Sequence, residues 1–545
     1  MKVIHDELHR IVQEMNGTAD IVLTRPEPQF GDYSTNAALQ LSKQVGQNPR
    51  DIAQEIADKL TALPEVKTVD VAGPGFINIS VTDEALLRAA QDAPERFRDG
   101  ETIVIETNNP NPFKAMHIGH AFNAIVADAI ANLLQASGAA VYRVSYHGDV
   151  GLHVGKSMYS LLRYVNGNVD KLTEVPEHER NSFMSRMYAE GSRAYKDDES
   201  ARAEIDQLAK QSFTREDPVY AAVYDICRDW SFEQIDELVA RLGNTPIERR
   251  FLESDADMRG VKIVRDNTPG VFQESDGALI FRGSEHGSFD NVFVGKNGMG
   301  LYGARDMGLI QLKNEQYHPD HSYIVTAEEQ RDYFQGVLAA VGLVWPELAG
   351  VTVNIPTGTV KLTTGKMSSR DGDVIEVAWL FDQIAQAIIA RGGEPTEDVV
   401  AGALRYAFLR VRIGSDVVFD INESVSIQGN SGPYLQYAHA RAASIIQKAS
   451  EVKPTEVKSL DEAERALVRK LSEYADIVDR SMRELMPHHI CHYLYELAQE
   501  FNRFYEQARI LDDPRGPERL TIVMQYRDTL AGGLGLLGIT APDTM

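Results

Sequence analysis

Ile103-Val104-Ile105, Asn108-Asn109-Pro110-Asn111-Pro112, a helical run closed by Gly138, then Val141-Tyr142-Arg143-Val144-Ser145-Tyr146: this stretch decides the fold. The first triplet is short and β-branched, as buried strands are. The Asn/Pro cluster interrupts regular structure. Beyond it, Ile118, Phe122, Ile125, Val126, Ile130, Leu133 and Leu134 recur at three- and four-residue steps, so they share one helical face. Gly138 suits the stop. Strand, helix, strand over this length is a βαβ unit, which requires parallel strands and a right-handed crossover. The expected fold class is multidomain α/β, with a Rossmann-like parallel sheet at its centre.

Upstream, Val3, Ile4, Leu8, Ile11, Val12 and Met15 share a helical face, and Gly75 to Val81 alternates like a half-buried strand. Residues 1–94 therefore read as a small α+β domain, with Asp92 to Gly100 as linker. Downstream, Tyr159 to about Arg250 is helical and charged, an insertion expected over about 159–260 of a 100–395 catalytic domain. Strand-and-loop character is expected to return near Val261, and a further strand at Ser322-Tyr323-Ile324-Val325. Residues 400–545 carry helical periodicity almost throughout and read as an all-α bundle.

Composition bounds the rest. The 545 residues are 43% hydrophobic and 25% charged, and no apolar run is long enough to span a bilayer. The N-terminus carries Asp6, Glu7 and Glu14 and resembles neither a secretion signal nor an acid-poor transit peptide. Cys227 and Cys491 are too few and too far apart for a zinc knuckle, no His ligand spacing appears, and no dedicated metal site is expected. The net charge of −25 speaks against a generally basic, nucleic-acid-coating surface. Local basic patches can still bind RNA, because the field at the site decides.

Two short motifs carry chemistry. His117-Ile118-Gly119-His120 sits where the first loop becomes the first helix. Helix N-termini offer free N–H groups to phosphates, two imidazoles add donors, and bare Gly119 lets a flat base approach. Lys366-Met367-Ser368-Ser369-Arg370 follows Gly365 and precedes Asp371-Gly372. A glycine-flanked loop with a lysine can clamp a leaving pyrophosphate. Either motif alone reads more readily as chance or as a polar loop. In this order and separation the pair resembles the ATP-site signature of class I aminoacyl-tRNA synthetases. The usual family loop has a second lysine where this chain has Ser369. The arginyl members carry one before the histidine motif instead, where Lys114 stands here, and the missing cation needs such a source.

The resemblance to the arginyl-tRNA synthetase family covers nearly the whole chain. Phe30-Gly31-Asp32-Tyr33-Ser34-Thr35-Asn36, Asn48-Pro49-Arg50 and Gly73 to Asn78 look like its N-terminal domain, which meets the corner of the tRNA. Gly432-Pro433-Tyr434-Leu435-Gln436-Tyr437-Ala438-His439-Ala440-Arg441 looks like the start of its anticodon-binding domain. The resemblance implies arginine activation with ATP and Mg²⁺, then transfer to tRNA-Arg. It implies His117, His120, Lys114 and Lys366 as catalytic groups and Gly119, Met367 and Ser368 at ATP. It implies Glu106, Tyr302 and Asp306 around the guanidinium and Asn111 at the α-amino group. A further contact falls within Glu328-Glu329-Gln330, assigned to Gln330 with the register open. Paired carboxylates suit a planar guanidinium on physical grounds too. Against that, Glu106 and Asp306 could simply pair with Arg143 or Arg305. Asp149 could face substrate or cap the next helix. Gly151 to Ser157 has one residue too few between glycines for a P-loop. Phe30, Tyr437 and Arg441 are candidate tRNA contacts, although most aromatics of the last domain are expected in its core. A cytoplasmic monomer that makes no membrane contact is expected. The alternatives are a nucleotidyltransferase with the same histidine motif, a non-catalytic regulatory paralogue, or a lysine-specific relative.

Overall fold

Ile103, Val104 and Ile105 are completely buried and form the middle of a five-stranded, all-parallel sheet. In the computed structural model, which describes residues 2–15, 18, 21–363 and 375–545, the strands are β1 (Thr102–Glu106), β2 (Ala140–His147), β3 (Arg249–Leu252), β4 (His321–Ala327) and β5 (Thr352–Thr357). Their spatial order is β5-β4-β1-β2-β3. The chain leaves β1 toward β2 on one side and later returns to β4 on the other. The order therefore reverses between β1 and β4, and such a switch point opens a crevice beyond the carboxyl ends of the strands.

The Ile118–Ala136 helix makes the β1–β2 crossover. Ile125, Ile130, Leu133 and Leu134 are fully buried along it, so its apolar face was read correctly. Gly138 closes it at φ +107°. Four helices, Leu152–Val165, Arg180–Asp197, Glu199–Thr214 and Pro218–Arg241, lie between β2 and β3. They gather their own core around Phe183, Tyr220, Tyr224 and Trp230. The helical insertion thus begins nearer residue 152 and ends before 249. The expected bounds of about 159–260 take in β3, whose four residues are too short to show a period.

Val261 lies inside the Glu253–Asp266 helix, which corrects the expected return of strands there. Strands Phe272–Ser275, Ala278–Phe281 and Asn291–Val294 follow as a separate antiparallel sheet. The Tyr302–Tyr317 helix then packs on Glu253–Asp266 with backbones in contact. A Cβ on Gly260 would sit 1.8 Å from the Ala304 carbonyl oxygen, and one on Gly308 2.1 Å from that of Ala256. The two glycines therefore fix how far the Tyr302–Tyr317 helix enters the crevice.

The N-terminal unit is a three-stranded antiparallel sheet with helices Lys2–Glu14, Ala37–Val45 and Pro49–Leu60. Ile4, Leu8, Ile11 and Val12 face its core, whereas Val3 is half exposed. Asn48 caps the Pro49–Leu60 helix by accepting from Arg50 N–H. Buried Asp32 accepts from Val81 N–H and pairs with Arg465 at 2.7 Å, joining this unit to the C-terminal helices. Those helices include Glu397–Leu409, Gly432–Lys448, His488–Gln507 and Gly516–Leu536. No helix among the described residues is long and apolar enough to cross a membrane.

Candidate active site

The switch-point crevice is a cleft of about 760 Å³. Glu106, Asn111, His117, Gly119, His120, Tyr302, Asp306 and Gln330 all line it. Lys114 lines an adjoining cavity of about 540 Å³ that shares Asn111, Tyr302 and Arg305 with the first. Lys366, Met367 and Ser368 lie outside the described residues. Thr359, Val360 and Ile375 line the cleft.

His117 is the N-cap of the Ile118–Ala136 helix. Its Nδ1 accepts from His120 N–H at 3.4 Å, and His120 Nδ1 accepts from His117 N–H at 3.3 Å. The rings stack with centroids 3.6 Å apart. Burial and the nearby Lys114 ammonium pull the His117 pKa down to about 4, and burial with His117 pushes His120 well below its ordinary value. Both imidazoles are therefore neutral at pH 7. Because each Nδ1 is an acceptor, each proton sits on Nε2. The helix N-terminus thus presents two neutral N–H donors. The Ile118 N–H donates to the Ile375 carbonyl and Val377 N–H to that of Met116, so the histidine motif is strapped to residues 375–377.

Lys114 stands on a loop held by the insertion. Phe113 is buried with φ +65°, a backbone conformation that bulky residues avoid. Ser231 Oγ accepts from its N–H, and Ser157 Oγ donates to its carbonyl. Burial lowers the Lys114 pKa. Lys156 and Lys210 line the same cavity, as does Glu253, whose charge favours the Lys114 ammonium. In a chain of net charge −25, the three lysines make a local basic wall.

Glu106 does not pair with Arg143 or Arg305. Its Oε1 is 2.7 Å from Lys313 Nζ, and its Oε2 accepts from Asn109 Nδ2 at 2.7 Å. Arg143 lies by Asp128, and Arg305 is held by Glu253 and Asp257. Asp306 accepts a hydrogen bond from Tyr333 Oη. Burial, with Glu106 and Glu253 nearby, raises its pKa to about 7. Asn111 Oδ1 accepts from Gly148 N–H at 2.9 Å and keeps a second lone pair. Glu328 pairs with Arg331, while Glu329 and Gln330 line the cleft, which narrows the open register to those two.

Asp149 is fully buried and lines neither of these two cavities. It accepts from Ser254 N–H and Oγ and from Tyr224 Oη, capping the Glu253–Asp266 helix rather than the next one in sequence. Lys313, Asn109, Tyr333 and Glu253 escaped the sequence reading. Each sits on an element whose register or partner is tertiary, and only the i, i+7 spacing of Asp306 and Lys313 hinted at a shared face.

The remote candidates scatter. Phe30 is 51% exposed on the N-terminal unit. Tyr437 is 44% exposed, while Phe501 and Phe504 are buried. Arg441 is held by Asn502 at 3.1 Å and lies over the Tyr505 ring.

Residues 1–81 match the model of the arginyl tRNA synthetase N terminal domain. Residues 82–401 match that of tRNA synthetases class I (R), catalytic domain, and residues 435–545 that of the DALR anticodon binding domain. The chain is 30% identical over 571 residues to the arginine–tRNA ligase of Vibrio vulnificus, spanning 97% of this chain and 96% of that one. It is 26% identical over 569 residues to that of Synechococcus. The arginyl-tRNA synthetase structure from Thermus thermophilus superimposes with a TM-score of 0.82 at 25% identity, over the full length of both chains.

Proposed function

The chain belongs to the arginyl-tRNA synthetases, and from that premise we propose how its cleft performs their reaction. Arginine, ATP and tRNA are its substrates. The arginine carboxylate attacks the α-phosphate of ATP, giving arginyl-adenylate and pyrophosphate. A hydroxyl of the 3′-terminal adenosine then attacks the adenylate, giving arginyl-tRNA and AMP.

Glu106 and Asp306 grip the guanidinium, with Tyr302 over it and Gln330 beside it. Asn111 takes the α-amino group through its remaining lone pair. Gly119 lets adenine lie on the helix start, and the Nε2–H groups of His117 and His120 donate to phosphate oxygens. Those bonds strengthen as negative charge gathers on the pentacovalent phosphorus, and charge stabilisation of this kind needs no covalent nucleophile. Lys114 supplies one cation, and Lys366, with Met367 and Ser368, a second. Mg²⁺ would come with the triphosphate; the described residues hold no cluster of His, Cys, Asp or Glu that could bind it, so phosphate oxygens and water would be its ligands and its charge would offset that of the phosphates. Lys114, Lys156 and Lys210 face the phosphates of the incoming tRNA end. Tyr437 stacks on an anticodon-side base with Arg441 bracing its helix, and Phe30 contacts the tRNA corner. The protein acts as a monomer in the cytoplasm.

The observation that carries this reading is the meeting, in one crevice, of two carboxylates from β1 and the Tyr302–Tyr317 helix with the histidine pair at the other end. Pyrophosphate exchange with each of the twenty amino acids, with and without tRNA, tests it. Exchange with arginine alone, in the presence of tRNA, is expected. Exchange with lysine, or with none, sinks the pocket assignment.

His120→Ala is expected to slow activation about 10²- to 10³-fold, the usual cost of one donor to a developing oxyanion. The KM for arginine should stay near the parent's. Lys114→Ala is expected to slow activation about 10- to 100-fold, because a cation beside the phosphates is lost. Single-turnover adenylate formation measures both, and a parent-like rate in either variant removes that residue from the mechanism.

A further inference from the structure

We propose that Lys313 is a specificity-determining positioning residue that sets the charge of the pocket, so that two carboxylates together accept one delocalised monocation. The proposal rests on the reading of this pocket as the arginine site. Lys313 is 1% exposed and stands two turns from Asp306 on the same helix. Its ammonium holds Glu106 Oε1 while Asn109 holds Oε2, and Asn109 Oδ1 in turn accepts from Tyr146 N–H at 2.8 Å. Glu106 is therefore locked before substrate arrives, with a lone pair left on each oxygen.

A buried lysine beside the carboxylates of a cation pocket repels the substrate it serves. Charge balance explains its presence. Two ionised carboxylates around one guanidinium leave a net negative charge in a site shut off from water, which is costly. Lys313 brings the filled pocket to neutrality. Without it, the site relieves the excess by keeping a proton on Asp306, which weakens its grip on the N–H groups.

The groups facing Asp306 agree with this. Glu106 comes from β1, Glu253 from the Glu253–Asp266 helix, and Tyr146 from β2. Tyr333 comes from the Arg331–Val344 helix, and Tyr302, Arg305 and Lys313 from Asp306's own. Burial and the two glutamates push the Asp306 pKa up to about 7, whereas Tyr333 and Lys313 pull it down. A raised carboxyl pKa means Asp306 is protonated below about 7 and ionised above it. Removing the lysine charge moves that boundary to higher pH.

The test is the pH profile of kcat/KM for arginine, which reports ionisations of the free enzyme. The parent should lose arginine efficiency as pH falls through about 7. Lys313→Gln keeps a donor to Glu106 but drops the charge. Its break should lie about 1–3 units higher, the usual effect of one close charge. Lys313→Arg keeps the charge, and its break should stay with the parent's. The kcat/KM for ATP at saturating arginine should not share the shift. A folded Lys313→Gln variant with the parent's break overturns the proposal. The parent itself offers a second measurement. Calorimetry in two buffers with tRNA present should show arginine binding release roughly half a proton at pH 7 and almost none at pH 8.5. No release at pH 7 overturns the charge-balance role. Asp306→Asn separates the two ideas. If it leaves arginine kcat/KM unchanged, the pocket reading fails; if it lowers it while Lys313→Gln keeps the parent's break, the role of Lys313 alone fails.

Discussion

Asp306→Asn is expected to lower kcat/KM for arginine about 10²- to 10⁴-fold and to leave ATP binding near the parent's. The guanidinium has no acceptor of its own and cannot lose its proton, so each N–H in a buried pocket needs an anionic or lone-pair partner. Removing one member of a buried ion pair costs about 3–5 kcal/mol, because the other charge stays desolvated. The asparagine keeps an acceptor for Tyr333, so the local hydrogen bond survives. Stability should not fall. The raised pKa means ionised Asp306 is a cost to the empty fold, one that grows as pH rises from the ordinary carboxylate range through about 7. The variant's Tm at pH 8 is thus expected at or above the parent's. Asp306→Ala should lose arginine use at least as severely. Pyrophosphate exchange against arginine and ATP separately decides, and an equal loss of ATP affinity refutes the assignment.

Arg405→Met is expected to destabilise the protein by about 3–5 kcal/mol, the typical cost of leaving a buried ion without its partner. Arg405 is fully buried in the Glu397–Leu409 helix, and its Nη2 is 2.8 Å from Asp128, also fully buried, in the Ile118–Ala136 helix. Its Nε donates to the Leu537 carbonyl at 2.9 Å, and its Nη1 to the Leu242 carbonyl at 3.0 Å and to Asn244. One side chain thus ties the histidine-motif helix, the end of the helical insertion and the C-terminal turn together. Arg143, 3.5 Å from Asp128, cannot replace these bonds. Lysine at 405 keeps the charge but not the planar fork, and should recover only part of the loss. Replacing Asp128 by asparagine in the Arg405→Met background should recover some too, because the fully buried carboxylate is no longer stranded, while the recovery stays partial because Arg143 loses its carboxylate neighbour. Urea unfolding measures all three. A single variant as stable as the parent shows that the knot is dispensable.

The strands and helices of the catalytic unit were legible where period and punctuation agreed. The seven-residue apolar stripe from Ile118 to Leu134, closed by Gly138, reads the same in sequence and structure, because a 3.6-residue period survives any packing partner. β3 and the Glu253–Asp266 helix were not legible. Four residues carry no period, and the charged stretch from Glu253 earns its helix from a cap by Asp149, about a hundred residues upstream.

By itself, the sequence determined which strand feeds which helix and which apolar residues share a face, because the backbone converts local spacing into faces and helix ends without help. That two histidines and a loop lysine serve ATP, and that two carboxylates take a cation, is what the resemblance to the family implies. The tertiary structure alone decided how the carboxylates are held. Lys313 reaches Glu106 only because the sheet order reverses between β1 and β4 and two glycines let the Tyr302–Tyr317 helix sink into the crevice. The proton on Asp306, the donor tautomers of the histidine pair and the lysine wall around Lys114 are likewise set by burial and by neighbours from distant elements. Desolvation and charge act through space, so they have no signature in the order of residues along a chain.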